Sequence, residues 1–359
     1  RSTLFPYTTL FRSSRFSDRM KTSLKDIAEE LRLSKTTVSW VLSGRGNERG
    51  ISQATQDRVK QCARRMNYQP NLLARSLNTG VSSTIGLILP SISDSFYSQV
   101  AREVEMEAER HGYSLMICSS ESEGERENRM IRMFRAKQVD GIILAPTKIS
   151  KTEIRQLVDD AFPLVVFDRY FSELKTHYII IDNEQSSYRL VSHLIERGAR
   201  RIAIVTTNPH LTTMDQRRAG YARALTEAGL PVDPDLYGEA AFVGYEENVF
   251  RALDRIFAKA PDVDGFFFTT HILALEAFRY FHGRRIDIND GYGLACIHEV
   301  PAMSVLAPAM NVARMPVGEI GRNAVRMLLG DIRNRGSLPR SADREFESLV
   351  LPCELCFRD

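Results

Sequence analysis

Seven consecutive residues carry side chains suited to a polyanionic partner. Ser34-Lys35-Thr36-Thr37-Val38-Ser39-Trp40 opens as a helix capped by Ser34, with Val38, Val41 and Leu42 forming its apolar face. At about 100° per residue, Thr36 and Trp40 point away from that face, flanked by Lys35 and Ser39. Outward side chains of a short helix are what base edges in a DNA major groove accept. Trp40 is the only tryptophan of the chain. It lacks the fork that pairs with guanine but offers an apolar contact to a thymine methyl; packing on its own domain is the alternative.

Other chemistry finds little support. There is no P-loop, no Gly-x-Ser-x-Gly elbow and no Gly-x-Gly-x-x-Gly after a strand. Cys353-x-x-Cys356 lacks a second ligand pair, and the seven histidines do not fall at zinc spacing. No metal, no cofactor and no enzymatic activity are expected. The charge-rich run Gly124–Gln138 reads as a solvated helix face.

The elements around the polar helix have a definite order. Ser23-x-x-Asp26 is a capping-box start, followed by Leu24, Ile27, Ala28 and Leu31 at helical spacing. A break at Arg32-Leu33 precedes Ser34, and Ser52 opens a third helix with Val59, Cys62, Ala63 and Met66 inward. Three short helices with a tight turn between the first two make a helix-turn-helix. Asn71–Leu77 predicts one more short helix, and 78–83 a linker.

From Thr84 the texture changes. Apolar runs at 85–89, 113–118, 140–145, 164–168, 201–206, 264–268 and 293–297 alternate with amphipathic helical stretches such as Phe96–His111, Ser187–Arg197 and Asp215–Ala228. That order predicts an α/β fold with parallel sheets covered on both faces. Its length suits two lobes, with a cleft at the carboxyl ends of the strands.

The 359 residues are 43% hydrophobic and 26% charged, ordinary for a globular protein with ample core. The net charge of +3 is unevenly spread: residues 1–80 hold 15 Lys/Arg against 6 Asp/Glu, leaving the remainder at −6. A basic head on an acidic body assigns the polyanion to the head. No run reaches a membrane span, no secretory h-region is present, and five scattered cysteines make no disulfide framework. A cytoplasmic, nucleoid-associated location is expected. Residues 3–13 resemble the translation of a sequencing-adapter oligonucleotide, so 1–19 are read as an artefactual or disordered leader.

Residues 22–80 resemble the DNA-binding head of the LacI/GalR repressor family, through SLKDIAEELRLSKTTVSWVLSG and NYQPNLLARSL. The body carries IGLILPSISDSFYSQV, DGIILAP, VVFDR, IDN, HLIERGARRIAIV, DQRRAGYARAL, GLACIHE and LPCELCFRD in the family's order. The resemblance implies a ligand-responsive repressor with a helix-turn-helix domain at 20–69, a hinge helix and linker at 70–82 and an effector-binding, dimerising body at 83–359. The body's chain would cross three times between lobes resembling periplasmic sugar-binding proteins. These lobes are placed at about 83–197 plus 315–343, and 198–314 plus 344–359.

By that resemblance Lys35, Thr36 and Trp40 take base-reading positions, accompanied by Thr37 and Ser39. Trp40 replaces a frequent arginine. Leu77 matches the minor-groove wedge, with Asn71 and Arg75 beside it on backbone or groove. In the body Phe96, Arg169, Arg217, Thr270 and His298 are the implied effector contacts, with His271 and Glu299 at the same strand ends. Arg217 stands three residues before Gly220-Tyr221, as the family's effector arginine does. Thr270-His271 and His298 replace a common Asn-Asp pair and an Asp, which favours asking whether the effector is a sugar acid or phosphosugar rather than an ordinary sugar. The implied partners are near-palindromic operator DNA and a second copy of the chain. Because the sequence stops after a final strand pattern without a heptad helix, a homodimer is expected rather than a tetramer.

Overall fold

The structure, a computed structural model, describes residues 22–69, 80–207, 212–241, 244–334 and 345–358. The chain divides into two compact units at Gly80–Val81. The leader at 1–19 and the hinge residues Asn71, Arg75 and Leu77 lie outside the described residues.

In the first unit, three serines start three helices. Ser23 and Asp26 close a reciprocal capping box on α1 (Leu24–Leu31). Ser34 Oγ accepts the Thr37 N–H at the head of α2 (Lys35–Leu42), and Ser52 Oγ accepts the Thr55 N–H at α3 (Gln53–Arg65). Arg32, at φ +53°, ends α1 and turns the chain into α2. Ile27, Val38, Val41 and Val59 are fully buried where the helices meet. The segment joining α2 to α3 is pinned as well. Gln56 Nε2 donates 2.8 Å bonds to Asn47 Oδ1 and to the Ile51 carbonyl. Gly46 lies so close to that amide that a Cβ there would fall 2.5 Å from Gln56 Cδ.

The second unit has two six-stranded sheets of identical order. The first comprises β1 (Thr84–Leu89), β2 (Ser114–Ser119), β3 (Gly141–Leu144), β4 (Leu164–Phe167), β5 (His177–Ile181) and β11 (Ser348–Leu351), arranged 2-1-3-4-5-11. The second comprises β6 (Ile202–Thr207), β7 (Tyr237–Ala240), β8 (Gly265–Phe268), β9 (Gly293–Ile297), β10 (Asn311–Arg314) and β12 (Glu354–Cys356), arranged 7-6-8-9-10-12. All pairs are parallel except β10 with β12. The strands LVVF and GFFF are buried at every position, as sheets covered on both faces require.

The helices α4 (Ser95–Arg110), α5 (Gly124–Ala136), α6 (Lys151–Asp159), α7 (Asn183–Glu196), α8 (Thr212–Glu227), α9 (Tyr245–Lys259), α10 (His271–Arg284), α11 (Met303–Leu306) and α12 (Val317–Asn334) fill the connections. Two lobe boundaries differ from the sequence reading. Helix α7 packs on α8 and on β8, β9 and β10, so the first crossing falls at Asp182 and not near 197. Strand β11 pairs with β5 while β12 pairs with β10, so 344–359 is divided between the lobes at Pro352-Cys353. Helix α12 packs on α4 and on β3, β4 and β5, placing the second crossing at 315–316.

Two local features depart from the sequence pattern. Glu127, within the run read as a solvated face, is fully buried. Its Oε1 accepts the Thr147 N–H at 2.9 Å and the Ser150 hydroxyl, while burial pushes its pKa up. At Gly220 a Cβ would lie 2.2 Å from the Glu184 carbonyl oxygen, so only glycine lets α8 approach α7 this closely.

Candidate functional sites

In α2 the outward stripe differs along its length. Lys35 and Thr36 are exposed, whereas Thr37, Ser39 and Trp40 are half-buried. The Thr37 hydroxyl sits 2.8 Å from Ser34 Oγ, within the cap. The Trp40 carbonyl accepts the Ser43 hydroxyl and the Arg45 N–H. The helix therefore presents Lys35 and Thr36 first, then an indole held half in the surface.

In the body, the carboxyl ends of β1, β4, β6, β8 and β9 surround a cavity of about 540 Å³ between the lobes. Phe96, Arg169, Arg217, Thr270 and His298 all line it. Glu299 does not; it pairs with Arg314 at 2.5 Å and with Arg358. Thr270 caps α10, accepting the Leu273 N–H. Phe96 packs edge-on against the His298 ring at 5.5 Å.

Among the described residues, two bonds cross from lobe to lobe beside this cavity. Asp94, the N-cap of α4, lies 3.2 Å from His271 Nε2 at the start of α10. Burial opposes its charge, yet the His271 hydrogen bond and the Phe96 N–H hold its carboxyl below the ordinary range. Thr213, on α8, donates its hydroxyl to the Asp168 carbonyl at 2.7 Å.

The two arginines are already engaged. Arg169 lies 3.3 Å from Asp168 Oδ2 and donates to Tyr97 Oη at 3.2 Å, while Tyr97 donates to Asp168 at 2.7 Å. Arg217, 3% exposed, donates Nε to Asn183 Oδ1 at 2.8 Å and Nη1 to the Thr269 carbonyl at 2.6 Å. Among the fully buried polar atoms that line the cavity, the ones left over are neutral. Among the described residues lining the cavity, Ser95 Oγ, Thr207 Oγ1 and both ring nitrogens of His298 are buried without a hydrogen-bond partner. Burial, reinforced by the nearby His271, pulls the His298 pKa down to about 4, so its ring is neutral near pH 7.

Asp168 and His298 occupy equivalent places in the two sheets. Each follows the equivalent strand, β4 or β9, and donates its N–H to the next strand, to Ile179 and Ala313. Each is also in the left-handed region, at φ +62° and +71°. Such backbone is costly for residues with a Cβ and concentrates at functional sites. Sequence reading missed Asp94, Tyr97, Asp168 and Thr213 here; Asp94 and Tyr97, inside IGLILPSISDSFYSQV, and Asp168, inside VVFDR, carried a signal, whereas Thr213 carried none. Among the described residues no three His, Cys, Asp or Glu side chains converge as a metal site, and no helix is long and apolar enough to cross a membrane.

A helix-turn-helix unit and a two-lobed body with an interlobe cavity, on one chain, define a ligand-responsive DNA-binding regulator. Residues 23–71 match the family model of bacterial regulatory proteins of the lacI family, and residues 82–343 match that of periplasmic binding proteins and the sugar-binding domain of the LacI family. The chain belongs to the LacI family of DNA-binding transcription regulators. It is 29% identical to the ribose operon repressor of Halalkalibacterium halodurans, over 88% of this chain and 91% of that protein. It is 28% identical to the transcriptional regulator DegA of Bacillus subtilis, over 94% and 98%. In fold it resembles the lac repressor dimer bound to operator and the anti-inducer ONPF, with a TM-score of 0.79, 19% identity and coverage of 94% and 98%. It also resembles the regulator CelR in complex with cellobiose, with a TM-score of 0.68, 22% identity and coverage of 94% and 99%.

Proposed function

We propose that this chain represses transcription as a homodimer on a near-palindromic operator, and that a small neutral, sugar-like effector bound between the lobes sets its operator affinity. Lys35, Thr36, Thr37 and Ser39 serve the major groove. Asn71, Arg75 and Leu77 serve the hinge, by resemblance to the family. The head spans 20–69, the hinge 70–82 and the body 83–359, and the protein works in the cytoplasm on the nucleoid.

One observation carries the effector's chemistry: among the described residues, the fully buried unpartnered groups in the cavity are hydroxyls and a neutral imidazole, whereas Arg169 and Arg217 each already donate to protein partners. Neutral donors and acceptors suit sugar hydroxyls, and Phe96 supplies an apolar face. A sugar acid or phosphosugar is the less favoured class. Asp94, Glu121, Asp168 and Glu276 also line the cavity and outnumber its arginines. An effector held by both lobes changes operator affinity only through its different affinity for their arrangements.

Isothermal titration of the full chain against neutral sugars, sugar acids and phosphosugars tests this. Saturable binding of a neutral sugar is expected, and binding confined to the anionic classes would overturn it. Gel shift with the DNA upstream of its own gene tests the operator role.

A further inference from the structure

Trp40 lies one helical turn beyond Thr36 on the outward stripe of α2 and supplies a single N–H donor. What it holds is of greater chemical use. The guanidinium carbon of Arg49 sits 5.0 Å from the centroid of the indole ring. Arg49 is exposed, and no acidic side chain pairs with it among the described residues. The segment that brings it there is ordered by the Gln56 bonds to Asn47 and Ile51 and by the close approach at Gly46. Its backbone is tied further by Arg45 N–H to the Trp40 carbonyl, Arg49 N–H to the Arg45 carbonyl and Ile51 N–H to the Gly46 carbonyl.

We propose that Arg49 is a phosphate clamp for operator DNA and that Trp40 is its positioning residue. A recognition helix offers base-reading side chains from its N-terminal part. Trp40 stands near the C-terminal end of α2, where a helix lying in the groove runs out toward the sugar–phosphate backbone. A guanidinium matches a phosphate with two parallel N–H···O bonds. Stacking on the indole fixes the plane of that fork in advance and reduces the side-chain ordering left for binding. Trp40 thereby acts on DNA through the arginine it carries. Arg45 is outside the proposal, because its Nε is turned toward Ser43 Oγ. The inference rests on the DNA-binding head and is independent of the effector's identity.

The test uses the full chain, a duplex that it selects from a randomised pool, and a random-sequence duplex, in a salt titration. Arg49→Ala is expected to weaken both duplexes by the same factor. It should also make log affinity against log salt shallower by about 0.9 for each clamp lost. Arg49→Lys, which keeps the charge, should keep most of the slope. Trp40→Phe should stay near wild type, whereas Trp40→Ala should reproduce the Arg49→Ala loss, and the double variant should add nothing further. An unchanged salt slope in Arg49→Ala would overturn the clamp. So would a loss confined to the selected duplex, which would make Arg49 a base reader. Additive losses in the double variant would overturn the positioning role. Arg49 is exposed, so its variants retain the folded head and decide the question even if Trp40→Ala destabilises it. Lys35→Ala, measured alongside, separates failure of the clamp from failure of the helix to enter the groove.

Discussion

His298 concentrates the body's titration chemistry in one ring. An imidazole has a pKa near 6.5 in an unfolded chain, and burial brings this one to about 4. Asp94 and Glu299 pull the pKa upward; His271 and Arg217 push it down. Between the two values the unfolded chain binds a proton that the folded chain refuses. The contribution is therefore complete above about pH 6.5 and lost as the pH falls toward 4. The melting temperature should drop on acidification from pH 7 to pH 5, and His298→Gln should flatten that drop. Equal slopes for the two proteins would show that the ring does not titrate in this way. At this scale the sequence was informative about identity and silent about partnership. Four of the five cavity residues stood in recognisable motifs, and Thr270 stood at a strand end. The engagement of Arg169 by Tyr97 and of Arg217 by Asn183 and the Thr269 carbonyl was not recognisable, because those partners come from other elements.

Among elements, the α7–α8 pair shows how one position sets a helix–helix distance. Gly220 faces the Glu184 carbonyl and Ser187 across that interface, and Tyr221 beside it donates to the Ile202 carbonyl at 2.7 Å. Gly220→Ala must move backbone rather than a side chain. It should destabilise the body by about 1–3 kcal/mol, measured by chemical denaturation; a neutral result would mean the helices separate cheaply. The serine-capped helices of the head were legible because a cap and its helix are neighbours in sequence. The strands β5, β7 and β10 were not resolved as strands, and the final strand pattern did not separate β11 from β12. They are short, and YGEA and NVAR lack the apolar run that marks a buried strand. Glu127 was misjudged for a related reason: a charged residue in a charged run shows nothing in sequence of the Thr147 and Ser150 donors that bury it.

For the whole body, the arrangement of the lobes is the variable that an effector must bias. Among the described residues, two bonds span the cleft, Asp94 with His271 and Thr213 with the Asp168 carbonyl. The double variant His271→Ala, Thr213→Val should separate the lobes, seen as a larger radius of gyration by small-angle scattering, and should weaken effector binding about tenfold or more. An unchanged radius and affinity would show that these bonds do not latch the cleft. The order of the motifs revealed two lobes, but the crossing points emerged only from which sheet each strand joins.

Those crossings have a mechanical consequence. They lie at Asp182, at 315–316 and at Pro352-Cys353, and neighbouring bonds tie the first to the third: Asp182 N–H to the Leu351 carbonyl at 3.0 Å, Cys353 N–H to Asp182 Oδ1 at 3.1 Å. Arg314 and Glu354, which flank the second and third, are cross-strand partners. Three short cords laid side by side behave as a leaf spring: compliant to bending about the line that joins them, stiff to torsion and to shear. Such a joint leaves the lobes essentially one degree of freedom. Whatever fills the cleft then selects a position along a fixed track, so chemically different effectors can differ in how far they drive the body but not in the direction it moves.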